Sequence, residues 1–94
     1  MENVQIKHVY LRYIGHIAVM TGKIREAISL EGVKTISGLL SRLDEKYPGL
    51  KETFMPPGGV FNSRTGIILR RVNQSSPVIN EDQAIEDGDI ISLW

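Results

Sequence analysis

One amphipathic helix constrains the fold more than any other feature of this sequence. Residues 35–47 place apolar side chains at helical spacing, with Thr35 in the position of an N-cap and Pro48-Gly49 as a stop signal. The apolar positions are Ile36, Leu39, Leu40, Leu43 and Tyr47. The opposite face is polar, so the helix has a single stripe to bury, and we expect it to lie on one face of a sheet.

The residues before this helix predict a hairpin of two strands. Residues 4–14 and 23–30 have the alternation and apolar content of strands. Between them, residues 15–21 predict a short helical piece, because Gly15 and Gly22 bracket an apolar stretch and can serve as cap or turn residues.

The residues after the helix predict a loop and further strands. Residues 50–65 contain a Pro/Gly cluster and predict an exposed loop anchored by Phe54 and Phe61. Residues 67–72 predict a strand and residues 73–77 a turn. Beyond the turn, Val78-Ile79 predicts a short edge strand, and Ala84-Ile85 is expected to pack inward.

The last residues predict the closing strand. Asp87-Gly88-Asp89 is typical of a tight turn, and an apolar run follows it to Trp94. If this strand lies beside the first one, Ile91 and Leu93 face the helix, whereas Ser92 and Trp94 face outward.

This order of elements predicts an α+β fold in one domain, residues 1–94. We expect a ubiquitin-like β-grasp, in which a mixed sheet of four to five strands wraps around the main helix at 35–47, with the short helical piece near 15–21. One sheet and one helix cover each other's apolar faces, so the arrangement needs no further layer.

Charge and composition favour some classes of protein over others. Lys plus Arg and Asp plus Glu number 11 each, so the chain lacks the net positive charge typical of nucleic-acid binding. There is no cysteine, no signal-peptide pattern and no apolar run of about 20 residues. We expect a cytoplasmic protein that binds neither nucleic acid nor membrane, has no cofactor and is not itself an enzyme.

The sequence resembles the MoaD/ThiS family of small sulfur-carrier proteins, which includes the small subunit of molybdopterin synthase. The resemblance covers nearly the whole chain and depends on the order and spacing of its motifs. These motifs are Tyr10-Leu11-Arg12, the helical piece between Gly15 and Gly22, the helix ending at Tyr47-Pro48, Val72-Asn73-Gln74, and Asp87-Gly88-Asp89 before an apolar strand.

The resemblance implies a role in molybdopterin biosynthesis or related sulfur metabolism. In that family a flexible tail ending in Gly-Gly is adenylated, converted to a thiocarboxylate and inserted into a larger partner. The printed sequence stops at Trp94, where this tail would begin, so sulfur carriage by the chain is in doubt. A divergent homologue, a truncated sequence and a tail supplied otherwise remain open. Gly58-Gly59 is internal, and we interpret it as part of a loop.

The resemblance implies a partner: a larger protein subunit or an activating enzyme that docks on the sheet face away from the helix. We predict that this face includes Val9, Leu11, Leu69, Arg71 and Trp94. Exposed apolar patches and tryptophan are typical of interfaces. A weak homodimer through the same patch and an interaction or regulatory module without sulfur chemistry remain alternatives.

Each of the other candidate sites has a simpler interpretation. Trp94 could instead fold over the end of the core, and Arg70-Arg71 could be part of a solvated strand. His8 and His16 lack further ligands at metal-binding spacing. We expect Asp87 and Asp89 to be turn residues rather than a catalytic pair.

Overall fold

A computed structural model describes residues 7–54, 66–71, 74–78 and 82–94. In these residues three helices and five strands follow one another along the chain. They are β1 (His8–Tyr13), α1 (His16–Thr21), β2 (Arg25–Ser29), α2 (Ile36–Lys46), α3 (Leu50–Phe54), β3 (Ile67–Arg71), β4 (Gln74–Pro77) and β5 (Ile90–Leu93). The predicted start of the first strand at residues 4–6, Gly58-Gly59, Phe61, residues 72–73 and Ile79 lie outside the described residues.

The five strands form one mixed sheet in the order β2-β1-β5-β3-β4. The first and last strands, β1 and β5, run parallel in the centre with Tyr10 opposite Ile90 and Tyr13 opposite Leu93. The remaining neighbours pair antiparallel. A central parallel pair of terminal strands beneath one main helix is the β-grasp arrangement, and the predicted α+β class is confirmed.

Helix α2 forms as its sequence predicts. The Gly38 amide donates to Thr35 Oγ1 at 3.2 Å, so Thr35 is the N-cap, and the Tyr47 amide closes the last turn on Leu43 O at 2.7 Å. The stripe of Ile36, Leu39, Leu40 and Leu43 is fully buried against the sheet, while Tyr47 is half-buried. Truncating one such leucine to alanine typically costs 2–5 kcal/mol, so this stripe is a major source of stability.

The short helical piece is also confirmed, as α1. Gly15 and Gly22 flank it with φ of 61° and 72°, values that a residue with a side chain adopts only with strain. Ile17 anchors the helix in the core, and Thr21 Oγ1 donates to Ile17 O at 3.0 Å.

The expected loop at residues 50–65 is wrong at its beginning, where α3 forms. The Asp44 carboxylate accepts from the amides of Gly49 and Lys51 at 3.0 and 3.2 Å, so a side chain of α2 caps the N-terminus of α3. Leu50 and Phe54 are fully buried, which confirms Phe54 as an anchor. A helix of five residues is too short for its periodicity to be visible in the sequence.

The predicted turn at residues 73–77 is wrong as well, because Gln74–Pro77 is strand β4. It pairs with β3 at the edge of the sheet, with Ser76 opposite Leu69 and Ser75 opposite Arg70. An edge strand has a neighbour on one side only, so it tolerates polar residues and a proline that propensity would assign to a turn. Val78, which was predicted to lie in a short edge strand, instead follows β4; it is buried, and its amide donates to Ile67 O at 2.7 Å. Of Ala84-Ile85, only Ile85 is buried.

Candidate partner-binding surface

The helices cover one face of the sheet, and the other, which we call the outer face, carries every second strand residue. Its members on the described strands, with Gly66 and Trp94 just beyond them, are His8, Tyr10, Arg12, Arg25, Ala27, Ser29, Gly66, Ile68, Arg70, Ser75, Pro77, Ile90, Ser92 and Trp94. None of these described outer-face residues is acidic. The outer face is therefore basic, with an apolar and aromatic centre.

Val9, Leu11 and Leu69 do not lie on the outer face, so their predicted outward position is wrong. All three are buried among the helix-facing residues. The register explains this, because Leu11 and Leu69 both lie opposite Ile91 in its two neighbouring strands, and residues opposite one another share a face. Since Ile91 faces the helix as predicted, they do too, and they are core residues rather than accessible contacts.

Trp94 does lie on the outer face, and its indole is anchored there. Its backbone exchanges two hydrogen bonds with Gly66, of 2.9 and 3.1 Å, which extend the β3–β5 pairing by one residue. The ring lies over Gly66 so closely that a Cβ built on the glycine would be 2.2 Å from Trp94 Cζ2. With 36% of its surface exposed, Trp94 neither folds over the end of the core nor frays.

Arg71 does not belong to the outer face, because it follows Ile67 and Leu69 on the inward side of β3. Its guanidinium forms a two-pronged pair with Asp89, with Nε at 2.9 Å from Oδ1 and Nη2 at 2.7 Å from Oδ2. Glu86 Oε2 lies 3.1 Å from Arg71 Nε. The hydrogen bond to Asp89 raises the pKa of Arg71. The pair joins β3 to the turn before β5, which gives Arg71 a structural role.

The sequence did not reveal this pair, although Asp89 is a turn residue as expected. Asp89 is buried and also accepts the Glu86 amide at 2.7 Å. The strand register would have revealed it. Leu69 lies opposite Ile91 in an antiparallel pair, so Arg71, two residues later on β3, lies opposite Asp89, two residues earlier in the chain. Asp87 is different, since its carboxylate accepts the amide of His8 at 2.8 Å and so ties the turn to β1.

The arginines of the outer face are arranged unfavourably for the isolated protein. Arg12 lies directly opposite Arg25 on adjacent strands, and Arg70 lies on β3. Among the described residues no carboxylate forms an ion pair with Arg12, Arg25 or Arg70. Like charges directly opposite one another destabilise a strand pair. A shallow depression of about 430 Å³ lies between Arg12 and Arg25, and Tyr10, Leu11, Glu26, Ala27 and Ile90 also line it.

A second cluster, around Glu26, lies between β2 and the end of α2 and was not recognised in the sequence. The Glu26 carboxylate accepts from Tyr13 Oη at 2.8 Å, Tyr47 Oη at 2.7 Å and Lys23 Nζ at 3.2 Å, and it also pairs with Lys46. Burial alone would raise the pKa of Glu26, but these hydrogen bonds outweigh it and lower the pKa to about 2. Burial and the bond to Glu26 raise the pKa of both tyrosines. Glu26 is thus ionised at neutral pH and accepts from four donors, which suits a structural clamp better than proton transfer.

The described residues contain no group of three or more His, Cys, Asp or Glu side chains that could hold a metal ion. None of the described helices, of which α2 is the longest with 11 residues, has the length and apolarity to cross a membrane.

Comparison with solved structures shows what the fold is similar to. Small archaeal modifier protein 1 from Haloferax volcanii matches with a TM-score of 0.67 and 17% identity, over 93% of this chain and 92% of that chain. The protein of the same name from Methanosarcina acetivorans matches with a TM-score of 0.68 and 16% identity, over 96% and 93%. A putative molybdopterin converting factor, subunit 1, from Pyrococcus furiosus matches with a TM-score of 0.67 and 15% identity, over 93% and 94%.

These matches confirm the ubiquitin-like β-grasp fold and the fold-level resemblance to MoaD-like proteins. No protein-family model matches the chain, and no curated protein matches it significantly.

Proposed function

We propose that this protein is a MoaD/ThiS-like docking subunit in molybdopterin biosynthesis or related sulfur-transfer metabolism, located in the cytoplasm. It acts by binding a larger protein, a synthase subunit or an activating enzyme, through the outer face of its sheet. The observation that carries the proposal is the pair Arg12 and Arg25, placed opposite one another without a described carboxylate beside the exposed ring of Tyr10. The names of the solved structures with this fold support it.

The outer face has the chemistry of a docking surface. Tyr10 is 52% exposed and Trp94 presents an anchored indole, and aromatic side chains supply a large contact area at a low cost in conformational entropy. A partner that brings carboxylates to Arg12 and Arg25 would relieve their repulsion and form two-pronged pairs. We therefore expect the partner's surface to be acidic around an apolar centre.

The test is a binding measurement with two purified proteins of the same organism, the homologue of the large molybdopterin synthase subunit and that of the activating enzyme. Replacing both Arg12 and Arg25 with glutamine should weaken binding roughly tenfold and reduce its salt dependence. Lys7 and Lys34 have exposed side chains away from the outer face, so Lys7→Gln/Lys34→Gln is a control with the same change in net charge. Equal affinities of both variants, or no binding of the wild-type chain to either protein, would refute the proposal.

A separate measurement tests whether this chain carries sulfur. An intact mass, from the native host, larger than that of the 94-residue chain by a tail ending in Gly-Gly would make it a carrier. The mass of the printed chain would leave docking as its role.

A further inference from the structure

The connection between β1 and β2 exposes apolar side chains that the proposed docking face does not account for. Ile14, Val19, Met20 and Ile24 are 49%, 84%, 39% and 66% exposed, and we call these four residues the tip. Exposed apolar side chains concentrated in one short connection mark a candidate interaction site.

The tip is held in place by the fold, so its exposure is not a consequence of fraying. The Tyr13 amide donates to Ile24 O at 3.0 Å, and the Ile14 amide donates to Leu93 O at 2.9 Å. Between these two points α1 is fixed by the fully buried side chain of Ile17. Val19, which is 84% exposed, contributes little to the core, so the fold does not require an apolar side chain at that position.

The charges around the tip have one sign. Residues 12–25 contain Arg12, Lys23 and Arg25 and no aspartate or glutamate. Lys23 is paired with Glu26 at 3.2 Å, whereas Arg12 and Arg25 pair with no carboxylate of the described residues. An apolar patch beside two uncompensated guanidinium groups is complementary to an apolar pocket with an acidic rim.

We infer that the tip is a second contact surface, and that it inserts into an acid-rimmed apolar pocket on the same protein that covers the outer face. The inference rests on the proposed function, because the two surfaces are continuous. Ile14 follows Tyr13 and Trp94 follows Leu93 in the parallel pair β1–β5, so Ile14 and Trp94 adjoin at the end of the sheet. A partner seated on Trp94 therefore reaches the tip.

Two other occupants fit the tip less well. In a symmetric dimer through this surface, the outer face of a second copy would offer Arg12 and Arg25 no carboxylate, because none of its described residues is acidic. A membrane surface is usually bound by a longer amphipathic helix, but α1 has six residues, two of them buried, and the apolar side chains of the tip come from three separate stretches.

The experiment uses the full chain and the same two purified proteins as above. The variant Val19→Ser/Ile24→Ser should fold as the wild type does by circular dichroism and thermal unfolding, because both side chains are exposed. Its affinity for whichever protein binds the wild type should fall roughly tenfold or more. A benzoylphenylalanine at position 19 should form a crosslink to acidic peptides of that protein. The same probe at Glu52, an exposed position on α3, should not.

The outcomes separate this inference from the proposed function. Normal affinity of the serine variant together with weakened binding of the Arg12→Gln/Arg25→Gln variant would overturn the tip alone. No binding of the wild-type chain would overturn both. Binding of the tip to vesicles of phosphatidylglycerol and phosphatidylcholine but not to the protein, or self-association that the serine variant abolishes, would assign the tip to a different occupant and also overturn the inference.

Discussion

Replacing Glu26 with glutamine tests the clamp between β2 and the end of α2. Glutamine keeps the size of the side chain and one acceptor oxygen, but it removes the charge that two tyrosines and two lysines surround. The variant therefore separates the electrostatic contribution of the carboxylate from its contribution to packing.

The size of the effect follows from the pKa of Glu26, which is about 2 in the folded chain against an ordinary value of 4.5. When folding lowers the pKa of a carboxyl group, the folded state is stabilised at pH values above the pKa of that group in the unfolded chain. This stabilisation is lost as the pH falls through the pKa of the group in the folded chain. The difference amounts to at most about 3 kcal/mol at neutral pH. Because both lysine side chains are 47% exposed, water screens their part, and we expect roughly 2 kcal/mol.

The assay is urea unfolding at a series of pH values from 7 to 2. Unfolding is monitored by circular dichroism and by the fluorescence of Trp94, the single tryptophan. Glu26→Gln should unfold with about 2 kcal/mol less free energy than the wild type at pH 7. The two curves should approach each other between pH 4.5 and pH 2. Glu52→Gln, at an exposed position, should follow the wild type throughout. A difference that is constant over the whole range would refute the electrostatic explanation, and no difference at pH 7 would refute the clamp.

Two further substitutions test other contacts. Gly66→Ala places a methyl group where the Trp94 ring lies. We expect the fluorescence emission of Trp94 to shift to longer wavelength and the free energy of unfolding to fall by about 1–3 kcal/mol. An unchanged emission spectrum would contradict the contact between the ring and Gly66. Asp89→Asn leaves Arg71 facing a neutral side chain and should cost about 2 kcal/mol in thermal unfolding. The cost should be smaller in an Arg71→Met background, and the same cost in both backgrounds would argue against a direct pair.

The main elements could be predicted because their patterns are long and local. The stripe of α2, the two glycines around α1 and the alternation that places Ile91 and Leu93 inward are each visible within a few turns or residues. Strand β4 and helix α3 could not be predicted this way. Both are short, and each is stabilised by a contact with another element, β3 for the strand and Asp44 of α2 for the helix.

The predicted site residues were wrong where the face they occupy depends on the strand register. Leu11 was assigned to the outer face as an apolar residue of the right strand, but only its pairing with Ile91 reveals which side it occupies. The same missing register concealed Arg71 and Asp89 as partners. Trp94 was placed correctly because alternation from Ile91 and Leu93 sufficed. Whether Arg71 and Trp94 contact a partner stays a prediction.

The central position of β5 also has a consequence for biosynthesis. The strand lies between β1 and β3, so among the described strands residues 90–93 join the two halves of the sheet, β2-β1 and β3-β4. A nascent chain that has not yet released these residues from the ribosome leaves the edges of β1 and β3 unpaired and the apolar faces around Val9 and Leu69 open to water. Such edges invite pairing with other chains. The sheet therefore closes only after residues 90–93, its last strand in chain order, have left the ribosome, and until then a chaperone would protect the open edges.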